Sequence, residues 1–167
     1  MAKEIVNRVA QSSLVTLDLE AYFPTGKRLQ LDLSQWLEGG LVLREKKFRE
    51  ALKITDFSPY KDSYVALYSS TEAILPEWAP LLVAVYLQPY AKKVVVGSLS
   101  DLEGAIFEEM INQFDITPFV DKPVIVKGCS EKDIPQTAYV SLIQRLHPVV
   151  KSLFYGEACS SVPLYKR

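Results

Sequence analysis

The chain of 167 residues holds two cysteines, Cys129 and Cys159. Each closes an apolar run: Pro123-Val124-Ile125-Val126-Lys127-Gly128 leads into the first, and Leu153-Phe154-Tyr155-Gly156-Glu157-Ala158 into the second. A thiolate is both a nucleophile and a ligand for soft metals. If the two runs are parallel strands, both thiols fall at the edge where open α/β sheets bind their ligands. Three chemistries fit. The thiols are buried and inert, as cysteines often are. Alternatively they bind zinc or an iron–sulfur cluster, with Glu157, Asp101 or Glu72 completing the ligands, and Cys129, Cys159 and Glu157 are then the candidate metal residues. In the third reading one thiol attacks and the other resolves the adduct.

The same edge would gather hydroxyls and carboxylates. Ser69, Ser70 and Glu72 follow one apolar run, Ser98 and Asp101 a second, and Ser130 a third. With helix N-termini behind them, such loops suit a small anion or metabolite. The single histidine, His147, does not join them. It lies about twelve residues into a helix opened by Pro135, so roughly 18 Å from that helix's start. Its position suits a cation at a helix C-terminus. A thiol with no histidine base in reach argues against a Cys-His hydrolase. No Gly-x-Gly-x-x-Gly follows a strand and no Walker lysine is present, which argues against dinucleotide and P-loop sites. No residue is given a catalytic role.

Two kinds of strand must position these groups. Leu14 to Glu20 and Leu29 to Leu33 alternate apolar with polar, as strands with one wet face do. Pro24-Thr25-Gly26 between them predicts a hairpin. The runs Tyr64–Tyr68, Val94–Val96, Val124–Val126 and Leu153–Tyr155 are continuously apolar, as strands covered on both faces are. Their starts recur about every 30 residues, the length of a strand–helix–strand unit. Because they share pattern and not sequence, they read as β-α architecture and not as a repeat array. Helices are predicted over roughly 41–53, from Pro76 to Leu87, from a Ser100-Asp101-Leu102-Glu103 capping box, and from Pro135 to Pro148. The body Leu81 to Leu87 is apolar nearly all round, which predicts deep packing.

The expected fold is a single mixed α/β domain. It has a mainly parallel sheet of about four to six strands with helices on both faces, and an N-terminal hairpin extends or caps it. Residues 1–60 form the hairpin-plus-helix part and 61–167 the repeated β-α units. A formal net charge of −1 argues against nucleic-acid binding, although Arg44, Lys46, Lys47 and Arg49 form a small basic stretch compatible with an acidic partner. The charged start, Met1 to Arg8, lacks the apolar run of a signal peptide. No stretch is long enough to span a bilayer, and the expected location is cytoplasmic.

The segments Glu4 to Val9, Leu41 to Lys46 with Phe48-Arg49, Ala73 to Ala79, Lys127-Gly128-Cys129 and Tyr155 to Arg167 resemble domain-of-unknown-function family 2480, a bacterial family, over essentially the whole chain. Ala158 stands where that family's pattern has a proline. The resemblance implies no activity and no catalytic residue. It does carry an association with sulfur-mobilising iron–sulfur assembly. The function it suggests is an accessory factor in iron–sulfur cluster or metal and sulfur handling through Cys129 and Cys159, with assembly proteins or a second copy as partners. The alternatives are a non-catalytic interaction module using the tail Leu164-Tyr165-Lys166-Arg167, and a small-anion or metabolite binder.

Overall fold

A computed structural model describes residues 13–128 and 130–167. Cys129 and the Met1–Arg8 stretch therefore lie outside the described residues. The tripeptide Leu-Asp-Leu occurs at 17–19 and again at 31–33, and each copy ends a strand in the same way. In β1 (Val15–Leu17) and β2 (Arg28–Asp32) the chain reaches an aspartate that accepts a backbone N–H two residues on. Asp18 takes it from Glu20 and Asp32 from Ser34, both at 2.9 Å. This Asx-type bond competes with the strand ladder. It turns each chain segment into a short 3-10 helix, Leu19–Tyr22 and Leu33–Trp36.

Those turns explain why the expected hairpin does not form. β1 and β2 belong to different sheets, and each pairs in parallel with a distant strand: Val15 lies opposite Val124, and Arg28 opposite Tyr64. Their alternation reflects a place at the end of a sheet, where one face is only partly covered. The first sheet has the order β1-β5-β6-β7 and the second β2-β3-β4. Here β3 is Tyr64–Tyr68, β4 Lys93–Val96, β5 Pro123–Val126, β6 Ser152–Glu157 and β7 Ser160–Lys166. All neighbours run parallel except β6 and β7. The mixed, mainly parallel α/β class is as the sequence implies, with two sheets in place of one.

The chain divides into two compact units, Thr25–Ile106 and the described residues up to Pro24 together with Phe107–Arg167. In the Thr25–Ile106 unit, helices α1 (Glu45–Ile54) and α2 (Trp78–Leu87) pack Phe48, Leu52, Ala79, Val83 and Leu87 against Leu31, Val65 and Leu67. Leu102 and Ile106 of α3 (Leu99–Gln113) cover Ala66 on the other face. In the second unit, Phe107 and Ile111 of α3 and Ala138, Leu142 and Leu146 of α4 (Gln136–Leu146) pack against Leu17, Val124, Val126 and Leu153. The capping box of α3 is Ser98 with Asp101, two residues before the one expected: each residue's side chain accepts the other's backbone N–H.

The two units are copies of one plan. Phe48, Asp56, Pro59, Asp62, Pro76, Ala79, Leu87, Pro89, Lys92 and Gly97 recur 59 positions later as Phe107, Asp115, Pro118, Asp121, Pro135, Ala138, Leu146, Pro148, Lys151 and Gly156, without a gap. The backbone agrees. Asp62 N donates to Tyr90 O at 3.0 Å and Asp121 N to Val149 O at 2.8 Å. Lys92 N donates to Ser63 O and Lys151 N to Lys122 O, at 2.8 and 2.9 Å. Asp62 and Asp121 both adopt the left-handed region, at φ 57° and 56°, which aspartate tolerates better than most residues. Gly97 and Gly156, at φ 143° and 120°, lie where a Cβ would come within 2.6 Å of Asp101 Oδ2 or 2.7 Å of Ser160 O. Shared sequence thus accompanies the shared pattern, at twice the expected spacing. The initial strands keep a separation of only 14 residues, because the Thr25–Ile106 unit interrupts the other in sequence.

Candidate functional site

The predicted site residues fall at the C-terminal edges of two sheets and not at one. Ser69, Ser70, Glu72, Ser98 and Asp101 belong to the three-stranded sheet. Ser130, Glu157 and Cys159 belong to the four-stranded one. The repeat makes the two edges comparable position by position.

At the three-stranded edge the polar groups satisfy one another. Asp32 accepts Ser70 Oγ at 2.6 Å and the N–H groups of Ser70 and Ser34. Burial pulls its carboxyl upward, but the bonds from Ser70 and Ser34 outweigh that and lower it to about 2. Ser34 and Ser70 share a further bond at 3.0 Å, and Ser69 Oγ donates to Thr71 O. Ser98 and Asp101 are engaged in the α3 cap, whose hydrogen bonds hold Asp101 low. Glu72 is exposed beside a shallow depression of about 420 Å³ lined by Leu41, Val42, Ile74 and Pro76. In the basic stretch, Arg44 and Lys47 both pair with Glu38, and Arg49 with Glu45.

The four-stranded edge is built differently. Asp18, at the Leu-Asp-Leu position of Asp32, pairs with Lys127 Nζ at 2.9 Å. The lysine's hydrogen bond holds Asp18 below the usual carboxylate range. The same bond raises Lys127, and the nearby charges of Glu157 and Glu20 add to this. Lys127 is thus a cation paired directly with one carboxylate, that of Asp18. Glu157 Oε1 is buried and has no hydrogen-bond partner among the described residues. Two residues on, Cys159 is exposed in the tight turn Ala158-Cys159 that joins β6 to β7.

In the same unit, a polar cleft of about 320 Å³ runs between Gly128, Ser130, Lys132, Gln136, Tyr139 and Tyr155. Gly128 lies close under Tyr155, whose ring a Cβ there would meet at 3.0 Å. Ser130 Oγ donates to Lys132 O, and Glu131 N to Glu20 Oε2 at 3.1 Å. Among the described residues no three His, Cys, Asp or Glu side chains group as a metal site. His147 ends α4 as expected, its ring 4.3 Å from that of Tyr165.

Lys127, Asp18 and Asp32 are the residues that sequence reasoning missed. The doubled Leu-Asp-Leu was the available signal. Along the 59-residue offset Cys129 aligns with Ser70, and continuing it aligns Glu157 with Ser98 and Cys159 with Ser100. Cys129 therefore stands where the other copy has serine, whereas past Gly97 and Gly156 the copies part, Ser100 lying in α3 and Cys159 in the β6–β7 turn.

Together these features define an internally duplicated α/β protein with two mainly parallel-stranded units, one edge with its aspartates held by local hydrogen bonds and one bearing a thiol and a carboxylate oxygen unpaired among the described residues. The chain belongs to the family described as protein of unknown function (DUF2480), whose model matches residues 3–167. No curated protein and no solved structure matches it. Among the described residues no helix is long and apolar enough to cross a membrane.

Proposed function

We propose that this protein is an accessory factor in iron–sulfur, metal or sulfur handling, working at the edge of the four-stranded sheet. Cys129 and Cys159 are its soft ligands and Glu157 its oxygen ligand. One observation supports this most. β5 and β6, after which the two cysteines follow in sequence, are hydrogen-bonded parallel neighbours, with Val126 opposite Tyr155. Adjacent strands lie about 4.8 Å apart, whereas an intervening strand would double that and hinder sharing of one ion. Cysteine at 129, where the other copy has Ser70, adds support, because sulfur binds soft metals where a hydroxyl does not.

Two thiolates and a carboxylate leave one position of a tetrahedral zinc open, as suits a site that must release its ion or exchange it with a partner. Iron–sulfur assembly proteins are the partners this reading implies. The test is elemental analysis of protein purified without chelator and then reloaded with zinc(II) or iron(II). Bound metal that is lost in both Cys129→Ser and Cys159→Ser supports the proposal. Absence of metal before and after reloading, with both variants indistinguishable from the parent, contradicts it.

A further inference from the structure

Two apolar surfaces of the Thr25–Ile106 unit stay open. The outer face of α2 leaves Leu81 and Val85 64% and 68% exposed, against the deep packing that its sequence implies. The other is the outer edge of β4, which ends its sheet and pairs with no further strand among the described residues. Only for this edge does the duplicate unit show an occupant.

By the 59-residue offset β4 is the counterpart of β6, with Val94, Val95 and Val96 at the places of Leu153, Phe154 and Tyr155. That same edge of β6 is covered by β7, running antiparallel. Arg167, which follows β7, is held at three points. Its N–H donates to Lys151 O at 3.0 Å, and its guanidinium to Asp121 Oδ1 at 3.2 Å and to Pro148 O at 3.3 Å. All three residues recur unchanged in the other unit, as Lys92, Asp62 and Pro89. The backbone N–H groups of Asp62 and Lys92 serve the fold in both copies, but the exposed Asp62 carboxylate has no partner among the described residues. The cover shows in burial as well: Leu153, opposite Tyr165, is fully buried, whereas Val94 is only partly so. The exposed end strand β7 is blunted against further pairing by Pro163. β4, Lys-Val-Val-Val, has no proline.

We propose that the outer edge of β4 takes up an extended segment of another protein as a fourth, antiparallel strand, with an arginine at its end for Asp62. Strand addition of this kind gains affinity from main-chain hydrogen bonds and specificity from a few side chains. The chemistry of the occupant is that of β7, with an aromatic residue opposite Val94 and the arginine two residues further on. A second copy's β7 is not free for this role, because each copy uses its own on β6. Two β4 edges meeting across a two-fold axis would also run antiparallel. They would bring the Gly97–Ser98 end toward Asp62 and no cation. The inference is independent of the thiol edge.

The probe is the peptide Ser-Ser-Val-Pro-Leu-Tyr-Lys-Arg, the sequence of residues 160–167, titrated into the intact chain and followed by amide resonances. Shifts are expected from Val94 to Gly97. Asp62→Asn, which keeps a residue tolerant of the left-handed region, should weaken binding about threefold, as for an exposed ion pair. For a peptide ending in alanine in place of arginine the same substitution should cost nothing, since the pair is already absent. Val96→Pro should weaken binding about tenfold through a lost hydrogen bond. Gly97 N donates to Leu67 O, so the preceding N–H points away from β3, where proline is tolerated; an unchanged circular dichroism spectrum checks this. No binding up to about 1 mM peptide overturns the proposal, and so does equal affinity of the parent and both variants. Shifts confined to Leu153–Glu157 would mean exchange with the resident β7. Shifts from Val94 to Gly97 that follow protein concentration without peptide would mean that a second copy holds the edge. Either result also overturns it.

Discussion

The two units of this protein share one scaffold and differ at the edge where ligands bind. Asp32 and Asp18 occupy the same place at the end of the first strand, yet the Asp32 carboxylate is held by hydroxyls and N–H groups, and that of Asp18 by the ammonium of Lys127. One edge has its polar groups matched internally. The other keeps a buried oxygen of Glu157 unpartnered among the described residues and a thiol in the open. When a plan is present twice, features common to both copies belong to folding, and features of one copy alone call for a different explanation. The core helices, the aspartates in the left-handed region and the two glycines fall in the first group. Lys127, Glu157 and the cysteines fall in the second.

The largest expected effect tests the shared part. Leu87 and Leu146 are equivalent and fully buried. Leu87→Ala and Leu146→Ala should each lower stability to urea by about 2–5 kcal/mol. A negligible cost at one site alone would show that the copies are not packed alike. Gly97→Ala and Gly156→Ala come next, at about 1–3 kcal/mol each for backbone strain. The Gly156 change should cost more. Its Cβ would meet a backbone oxygen, whereas at Gly97 the obstacle is the side chain of Asp101.

Smaller still, Asp32→Asn should cost about 1 kcal/mol near neutrality through weakened hydrogen bonds. Asp32 titrates near 2 in the folded chain against an ordinary 3.8. A carboxyl lowered on folding contributes stability above its unfolded value and loses it as pH falls toward the folded one. Chemical denaturation between pH 4 and 2 should therefore show a shallower loss in Asp32→Asn than in the parent. The smallest effect is expected at the exposed thiol. Cys159→Ser should leave thermal stability within about 0.5 kcal/mol of the parent, so any loss of bound metal in that variant would be a functional change.

The α/β class, the four continuously apolar strands and the approximate helix positions were legible because apolar runs and amphipathic spacing are written locally, although β4, at the end of its sheet, is not covered on both faces and leaves Val96 62% exposed. The pairing of β1 and β2 was not. Alternation cannot distinguish a hairpin strand from one at the end of a parallel sheet, and the bond from Asp18 to Glu20 that ends β1 has no periodic signature. The repeat was concealed because its first strands are 14 residues apart and the remainder 59. The thiols could be read as chemistry, but their strand neighbours could not, since adjacency of β5 and β6 is a long-range property. Lys127 lay at the end of an apolar run, where only the ion pair with Asp18, 109 residues away in sequence, reveals its role.

The most direct test of divergence between the edges is a zinc(II) titration followed by amide resonances. The account predicts shifts at Gly128 and from Tyr155 to Ser160, and none from Ser69 to Glu72 or from Ser98 to Asp101. Equal shifts at both edges, or shifts at the three-stranded edge alone, would contradict it.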